Sequence, residues 1–326
     1  MQLGFPVAVQ GRPGLRAYDS RSPQAPGGQG PHLSVSLAYL RDIVRYLAQM
    51  RIHFYRLSSR LAPHLAFPQH PELASQMDQC QAELAHTAAL LRRDRVRVTI
   101  HAEANVILNS DDAALTSASL AHVTGLADLL DRLGAGPEGV VVVHTGGIYN
   151  DKAAARAQFC RRFARLPSAV QARVALENDD DRFGLSDVLW MHRQTGVRLV
   201  FDRLHHLVYN PDGLDEFEAL GLALSTWPRG ARPKVHFASP RTAFNLLTAA
   251  DANAGGRRRL LAAPRWTQHA DYVNPFEFID WLRRARAGGL PDFDIMLEAR
   301  GRDLALLRLR ADLEQFAPDV RRWIES

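Results

Sequence analysis

The stretch Val197-Arg-Leu-Val-Phe-Asp-Arg-Leu-His-His206 offers the clearest chemistry in the chain. An apolar, β-branched run ends abruptly in Asp202, and His205 and His206 follow within one helical turn. A buried strand that delivers a carboxylate and an imidazole at its C-terminal end is a natural way to build a metal site. The design recurs. The runs 96–101 and 140–144 end in His101 and His144, and 173–177 ends in Glu177. Lys234-Val-His236 carries an imidazole, and 293–298 ends in Glu298. Six strand-like runs that all present metal-compatible side chains call for one explanation. His206, next to His205, is expected to face away from any such site, and Asp179, Asp180 and Asp181 read as a solvated acidic turn.

Several carboxylates brought together without a cation would repel one another, and divalent ions solve that problem. Imidazole and carboxylate donors without thiolate suit Zn, Mn or Fe. The set exceeds the needs of one ion, so Glu177 or Asp202 is expected to bridge a di- or trinuclear centre. Such centres suit phosphoester hydrolysis, in which one ion draws a nucleophile from water and the others stabilise the leaving oxygen. No phosphate-binding Gly-rich loop or Ser-His-Asp arrangement offers competing chemistry.

The elements that position these residues alternate. Strands are predicted at 2–5, 52–57, 96–101, 140–144, 173–177, 197–202, 234–237 and 293–298. Helices are predicted at 33–50, 73–93, 111–133, 152–165, 186–195, 213–225, 275–287 and 303–316. Ser34 or Ser36 is the expected cap of the first helix, and 239–274 reads as a long irregular connection. Eight alternating β and α units in 326 residues predict one α/β domain over 1–326, a (β/α)8 TIM barrel with long loops at its C-terminal face. All strand ends then meet at one rim, which brings the candidate residues together.

Composition is that of a globular protein, with 46% hydrophobic and 23% charged residues. No secretory signal or apolar run long enough to span a membrane is evident, so a cytoplasmic monomer is expected. Two cysteines make no disulfide framework. A net charge of +5 points to an anionic partner. Most arginine clusters fall on predicted helices and read as solvated faces. Arg257-Arg258-Arg259 follows Ala-Gly-Gly in a predicted loop and is the best placed for phosphate.

Taken together, the motifs resemble the ultraviolet-damage endonucleases, relatives of endonuclease IV and the xylose isomerases. Matching stretches are Tyr55-Arg-Leu-Ser-Ser59, His144-Thr-Gly-Gly147 with Asp151-Lys152, Leu176-Glu-Asn-Asp179 and Phe201-Asp-x-x-His-His206. Lys234-Val-His236 with Ser239, His269-Ala-Asp-Tyr272 and Asp294-Ile-Met-Leu-Glu298 complete the set. The resemblance implies incision of damaged duplex DNA immediately 5′ of the lesion, with two or three divalent ions, often manganese, as cofactors. The implied ligands are His101, His144, Glu177, Asp202, His205, His236, His269 and Glu298. Glu177, Lys234 and His70 are the implied catalytic group, with Lys234 matching a lysine that can be carboxylated in this family. Lys152, Tyr149, Asn105 and Arg257–Arg259 are added as candidate DNA contacts.

The sequence departs from that family at the residues that probe the lesion. A typical His-Pro-x-Gln followed by Tyr or Phe is here His101-Ala-Glu-Ala104-Asn105, and the usual Gly-Tyr of the first strand is Gly4-Phe5. An alanine cannot wedge into a base stack. The loops at 11–32 and 245–268 are alternative sources of recognition. Competing expectations are a sugar isomerase or other small-substrate enzyme on the same barrel, and a non-catalytic DNA-binding barrel that keeps its metals for structure.

Overall fold

The computed structural model describes residues 1–24, 30–250 and 257–325, with only the backbone for 245–250 and 257–260. Strands β1 (Leu3–Pro6), β2 (Phe54–Leu57), β3 (Arg97–His101), β4 (Val141–Val143), β5 (Val174–Glu177), β6 (Arg198–Asp202) and β7 (Lys234–Phe237) lie in the predicted places. An antiparallel pair follows, β8 (Asn245–Ala250) and β9 (Arg257–Ala262), and then β10 (Asp294–Leu297). Eight strands close a barrel in the order β1-β10-β7-β6-β5-β4-β3-β2, and every neighbouring pair is parallel. Helices connect them on the outside, so the predicted TIM barrel is the observed fold.

Period-two alternation explains the barrel interior. Along β3, Arg97, Thr99 and His101 fall on one face, and each meets a partner across the barrel at a different height. Arg97 pairs with Asp294 at 2.7 Å and lies 4.9 Å from the centre of the Phe54 ring. Thr99 accepts from the Lys234 Nζ at 3.3 Å, and His101 reaches Glu177 at 2.9 Å. The lowest layer is thus a buried ion pair, the next holds a buried lysine, and the uppermost holds the chemistry. Gly4 is required where β1 passes β2, because a Cβ there would lie 2.7 Å from the Phe54 ring. On the outside, Phe237, Phe278, Trp281 and Phe293 pack ring against ring at 5.1–5.5 Å and fasten the helix Pro275–Ala287 to the sheet. Aromatic side chains of this size each bury roughly 150–250 Å2.

Four expectations are corrected. The helix predicted over 73–93 is a 3-10 turn Pro71–Ser75, a short helix Gln76–Gln79 and a longer one Gln81–Arg93. The helices part at Cys80, and Gln76 anchors the short one, its buried amide accepting from Leu33 N at 2.9 Å and donating to Pro31 O at 3.2 Å. The first helix, Leu33–Gln49, is capped by the His32 imidazole rather than Ser34 or Ser36, and Ser36 Oγ accepts from Asp19 N instead. The connection 239–274 contains the β8–β9 pair, so Arg257–Arg259 sit on a strand and not in a loop. Their side chains lie outside the described residues, as do residues 251–256 of the 245–268 loop altogether. The helix Ala113–Arg132 does meet the length and hydropathy of a membrane span, against expectation. Its Val123, Leu126, Leu129 and Leu130 are buried against the barrel.

Candidate metal centre

The Asp-x-x-His motif works through helix capping. Asp202 ends β6 and is the N-cap of a short helix, Arg203–Val208, that pattern reading did not find. One carboxylate oxygen, Oδ1, accepts from His205 N at 2.9 Å, which turns the chain and fixes where the His205 ring points. The other, Oδ2, is buried without a hydrogen-bond partner among the described residues and faces the His236 Nδ1 at 3.7 Å and the His205 Nδ1 at 4.0 Å. Asn178, at the end of β5, locks the strand ends, because its amide exchanges two hydrogen bonds with the Asp202 backbone and its carbonyl faces the His205 Nδ1 at 2.9 Å. His206 turns away as expected, buried with its Nε2 3.1 Å from Leu214 O.

Glu177 is the hub. Its Oε1 lies 2.9 Å from the His236 Nδ1 and 3.5 Å from the His205 Nδ1, and its Oε2 lies 2.9 Å from the His101 Nε2 and 3.9 Å from the His144 Nε2. Burial alone would raise its carboxyl, but the imidazoles of His236, His144 and His101 hold it well below the usual carboxylate range. Glu298, above β10, lies 3.3 Å from the His236 Nδ1 and 3.8 Å from the His269 Nε2, and Arg56 donates to it directly. Burial acts to raise Glu298 too, and Arg56 with His236 outweighs it. Burial drives His101 down to about 4, so this imidazole is neutral and free to act as a ligand. Burial also opposes charging of His205, yet Asp202 and Glu177 carry it up to about 10. A proton shared among these groups is what a cation would replace.

Among the described residues, three groups have ligand atoms within 4.8 Å of one another: His101, His144 and Glu177; Glu177, Asp202 and His236; and Asp202, His205 and His269. Glu177 and Asp202 each belong to two groups, which is the arrangement a bridging carboxylate needs. The orphaned Asp202 Oδ2 and the purely imidazole and carboxylate donor set both fit divalent cations. The structure thus brings together all eight residues expected at one rim. Lys234, completely buried in the layer below, is held well below its ordinary value by burial first and by Arg56 next. His70 stands apart on the loop after β2, with its Nδ1 3.0 Å from Glu72, and is in none of the three groups.

The candidate DNA contacts are less uniform. Lys152 begins the helix Lys152–Phe163, and its ammonium is bound to Asp187 at 2.5 Å beneath the Tyr209 ring. Tyr149 is 45% exposed and has a φ of 55°, a left-handed backbone that non-glycine residues seldom adopt. Asn105 and Ala104 are exposed on the turn after β3. Asp179 departs from the solvated turn expected of it. It is buried, and its Oδ1 accepts from Arg182 N and Phe183 N at 2.7 and 2.6 Å. Arg56 was missed. Its signal was a cation on the inward phase of the otherwise apolar Phe54–Leu57 strand.

A parallel barrel with convergent imidazoles and carboxylates at its C-terminal rim defines the class of metal-capable TIM-barrel proteins. The chain matches the model of the UV-endonuclease UvdE family over residues 32–324, and it belongs to that family of endonucleases. The UV DNA damage endonuclease of Bacillus velezensis is 30% identical over 303 residues, covering 89% of this chain and 87% of the relative. The crystal structure of SacUVDE matches with a TM-score of 0.77 at 25% identity, covering 97% of this chain and 98% of that one. Endonuclease IV from Thermus thermophilus shares the fold, with a TM-score of 0.56 at 15% identity over 97% of this chain and all of its own.

Proposed function

We propose that the protein is a DNA repair endonuclease that hydrolyses the phosphodiester bond immediately 5′ of an ultraviolet-damaged base in duplex DNA. The observation that carries this reading is the convergence of His101, His144, Glu177, Asp202, His205, His236 and His269, with Glu298 beside His236 and His269, in a member of the UV-endonuclease family. These eight residues would hold two or three divalent ions, manganese foremost and zinc next. Bound there, the ions supply Lewis acidity and a source of nucleophile, which leaves a 3′-hydroxyl end.

The chain's own side chains prepare the site. Glu177 orients His101 and His236 through one oxygen each. Arg56 fixes Glu298 and balances part of the buried negative charge. Burial favours a neutral amine at Lys234, the form that can react with carbon dioxide to give a carbamate. His70 is proposed to act from the loop after β2, and Lys152, Tyr149, Asn105 and Arg257–Arg259 to face the DNA. With Ala104 and Asn105 on the turn after β3, lesion selection rests more on loops than on a wedge. The test is Glu177→Gln on ultraviolet-irradiated plasmid. Loss of nicking with the fold retained supports the reading, and undiminished nicking refutes it.

A further inference from the structure

A cavity of about 570 Å3 opens on the histidine side of the cluster, lined by Asp180, His205, Arg241, Thr267, Gln268, His269 and Arg300. Two of its walls are the rings of His205 and His269, whose centres are 6.3 Å apart. Arg241 lines the same cavity, and its backbone is tied to the segment that carries His269. Pro240 bridges His269 in antiparallel fashion, Arg241 N donates to Gln268 O at 2.7 Å, and Ala270 N donates to Ser239 O at 2.9 Å. The same ladder holds Arg300, whose N donates to Ala270 O at 3.0 Å. These bonds tie the Arg241 backbone directly to that of the Gln268–Ala270 segment.

The guanidinium is under-used. It has five N–H donors. Among the described residues its one side-chain contact is Nη1 to the Gln268 Oε1 at 3.3 Å, and its buried Nε has no partner. No carboxylate among the described residues pairs with it, whereas Arg300 makes only a loose, exposed contact to Asp271 at 3.6 Å. A planar cation with spare donors, beside metal-capable histidines and in a cavity open to solvent, fits a singly charged phosphodiester, which a guanidinium can grip with two parallel bonds.

We propose that Arg241 is a positioning residue that holds a backbone phosphate of the bound strand on the His205–His269 side of the centre. This rests on the phosphodiester reading above. Arg300 is the accessory cation, free to leave Asp271 when DNA arrives.

The experiment compares the parent protein with Arg241→Gln and Arg241→Lys. Binding to a fluorescent duplex is measured by anisotropy over a salt series, and incision kinetics are measured separately. Circular dichroism and bound-metal content confirm that each variant is folded and loaded. Arg241→Gln is expected to weaken duplex binding about 10- to 100-fold. It should also flatten the log–log salt slope by about 0.9, one phosphate contact. KM should rise more than kcat falls. In Arg241→Lys the slope should return while KM stays several-fold raised, because an ammonium lacks the fork. An unchanged slope in folded Arg241→Gln overturns the proposal. If that variant does not fold, Arg241→Lys decides, and a KM equal to the parent's overturns it. A parent that binds duplex with a steep slope but never cuts defeats the incision reading and leaves Arg241 still measurable. A parent with no salt-dependent binding defeats both.

Discussion

Glu177→Gln should uncouple metal binding from stability, and the size of the effect follows from the geometry. Glu177 is 1% exposed and, like Asp202, is a carboxylate shared by two of the three metal-capable groups. A cation that binds only the folded state stabilises it by about 2.7 kcal/mol when present at 100 times its dissociation constant. Unfolding entropy near 2.1 cal/mol/K per residue, taken over 326 residues, turns this into a rise in Tm of about 4 °C. Removing a shared ligand is expected to weaken binding at least as much as losing an outer hydrogen-bond partner, about 100-fold. At the same metal concentration the variant would then keep only about 0.4 kcal/mol, well under 1 °C. The assay is a thermal melt of chelator-stripped protein, with and without manganese, for parent and variant, with isothermal titration for the binding itself. A variant that gains as many degrees as the parent would refute Glu177 as the shared ligand.

Two further outcomes are expected. Arg56→Leu removes the cation that faces Glu298, with side chains only 14% and 9% exposed, so metal-free protein should lose about 3–5 kcal/mol in urea unfolding, and an unchanged midpoint would contradict the pairing. His122 is pushed below its ordinary value by burial, so the folded protein keeps this ring neutral. Its contribution is intact above about 6.5 and is lost as pH falls toward the folded value, because the unfolded chain takes the proton first. His122→Leu should therefore show a shallower loss of stability between pH 7 and pH 5, and a parallel decline in the two proteins would show the ring to be inert.

The barrel was legible because every strand carried a compact apolar run and most runs ended in a ligand-type residue. One period-two phase then explains Arg97, Thr99 and His101 together. The β8–β9 pair was not legible. Asn-Leu-Leu-Thr-Ala-Ala and Arg-Arg-Arg-Leu-Leu-Ala have a single β-branched residue between them and no alternation. The short helix after Asp202 was hidden by its length, although Asp202 itself was the capping signal. Asp179 looked solvated because a run of three aspartates reads as a charged surface, and only the fold shows one of them turned inward onto backbone amides. Arg241 gave no signal at all, since its place depends on a bridge between Pro240 and His269, far along the chain.

The most direct measurement uses a duplex with a single cyclobutane pyrimidine dimer, an undamaged duplex of the same sequence, and manganese. A single nick immediately 5′ of the dimer, with a 3′-hydroxyl end and abolished by chelation, is the predicted result. Folded, metal-loaded protein that cuts neither duplex, or cuts both equally, would contradict the claim that this centre incises DNA at ultraviolet damage.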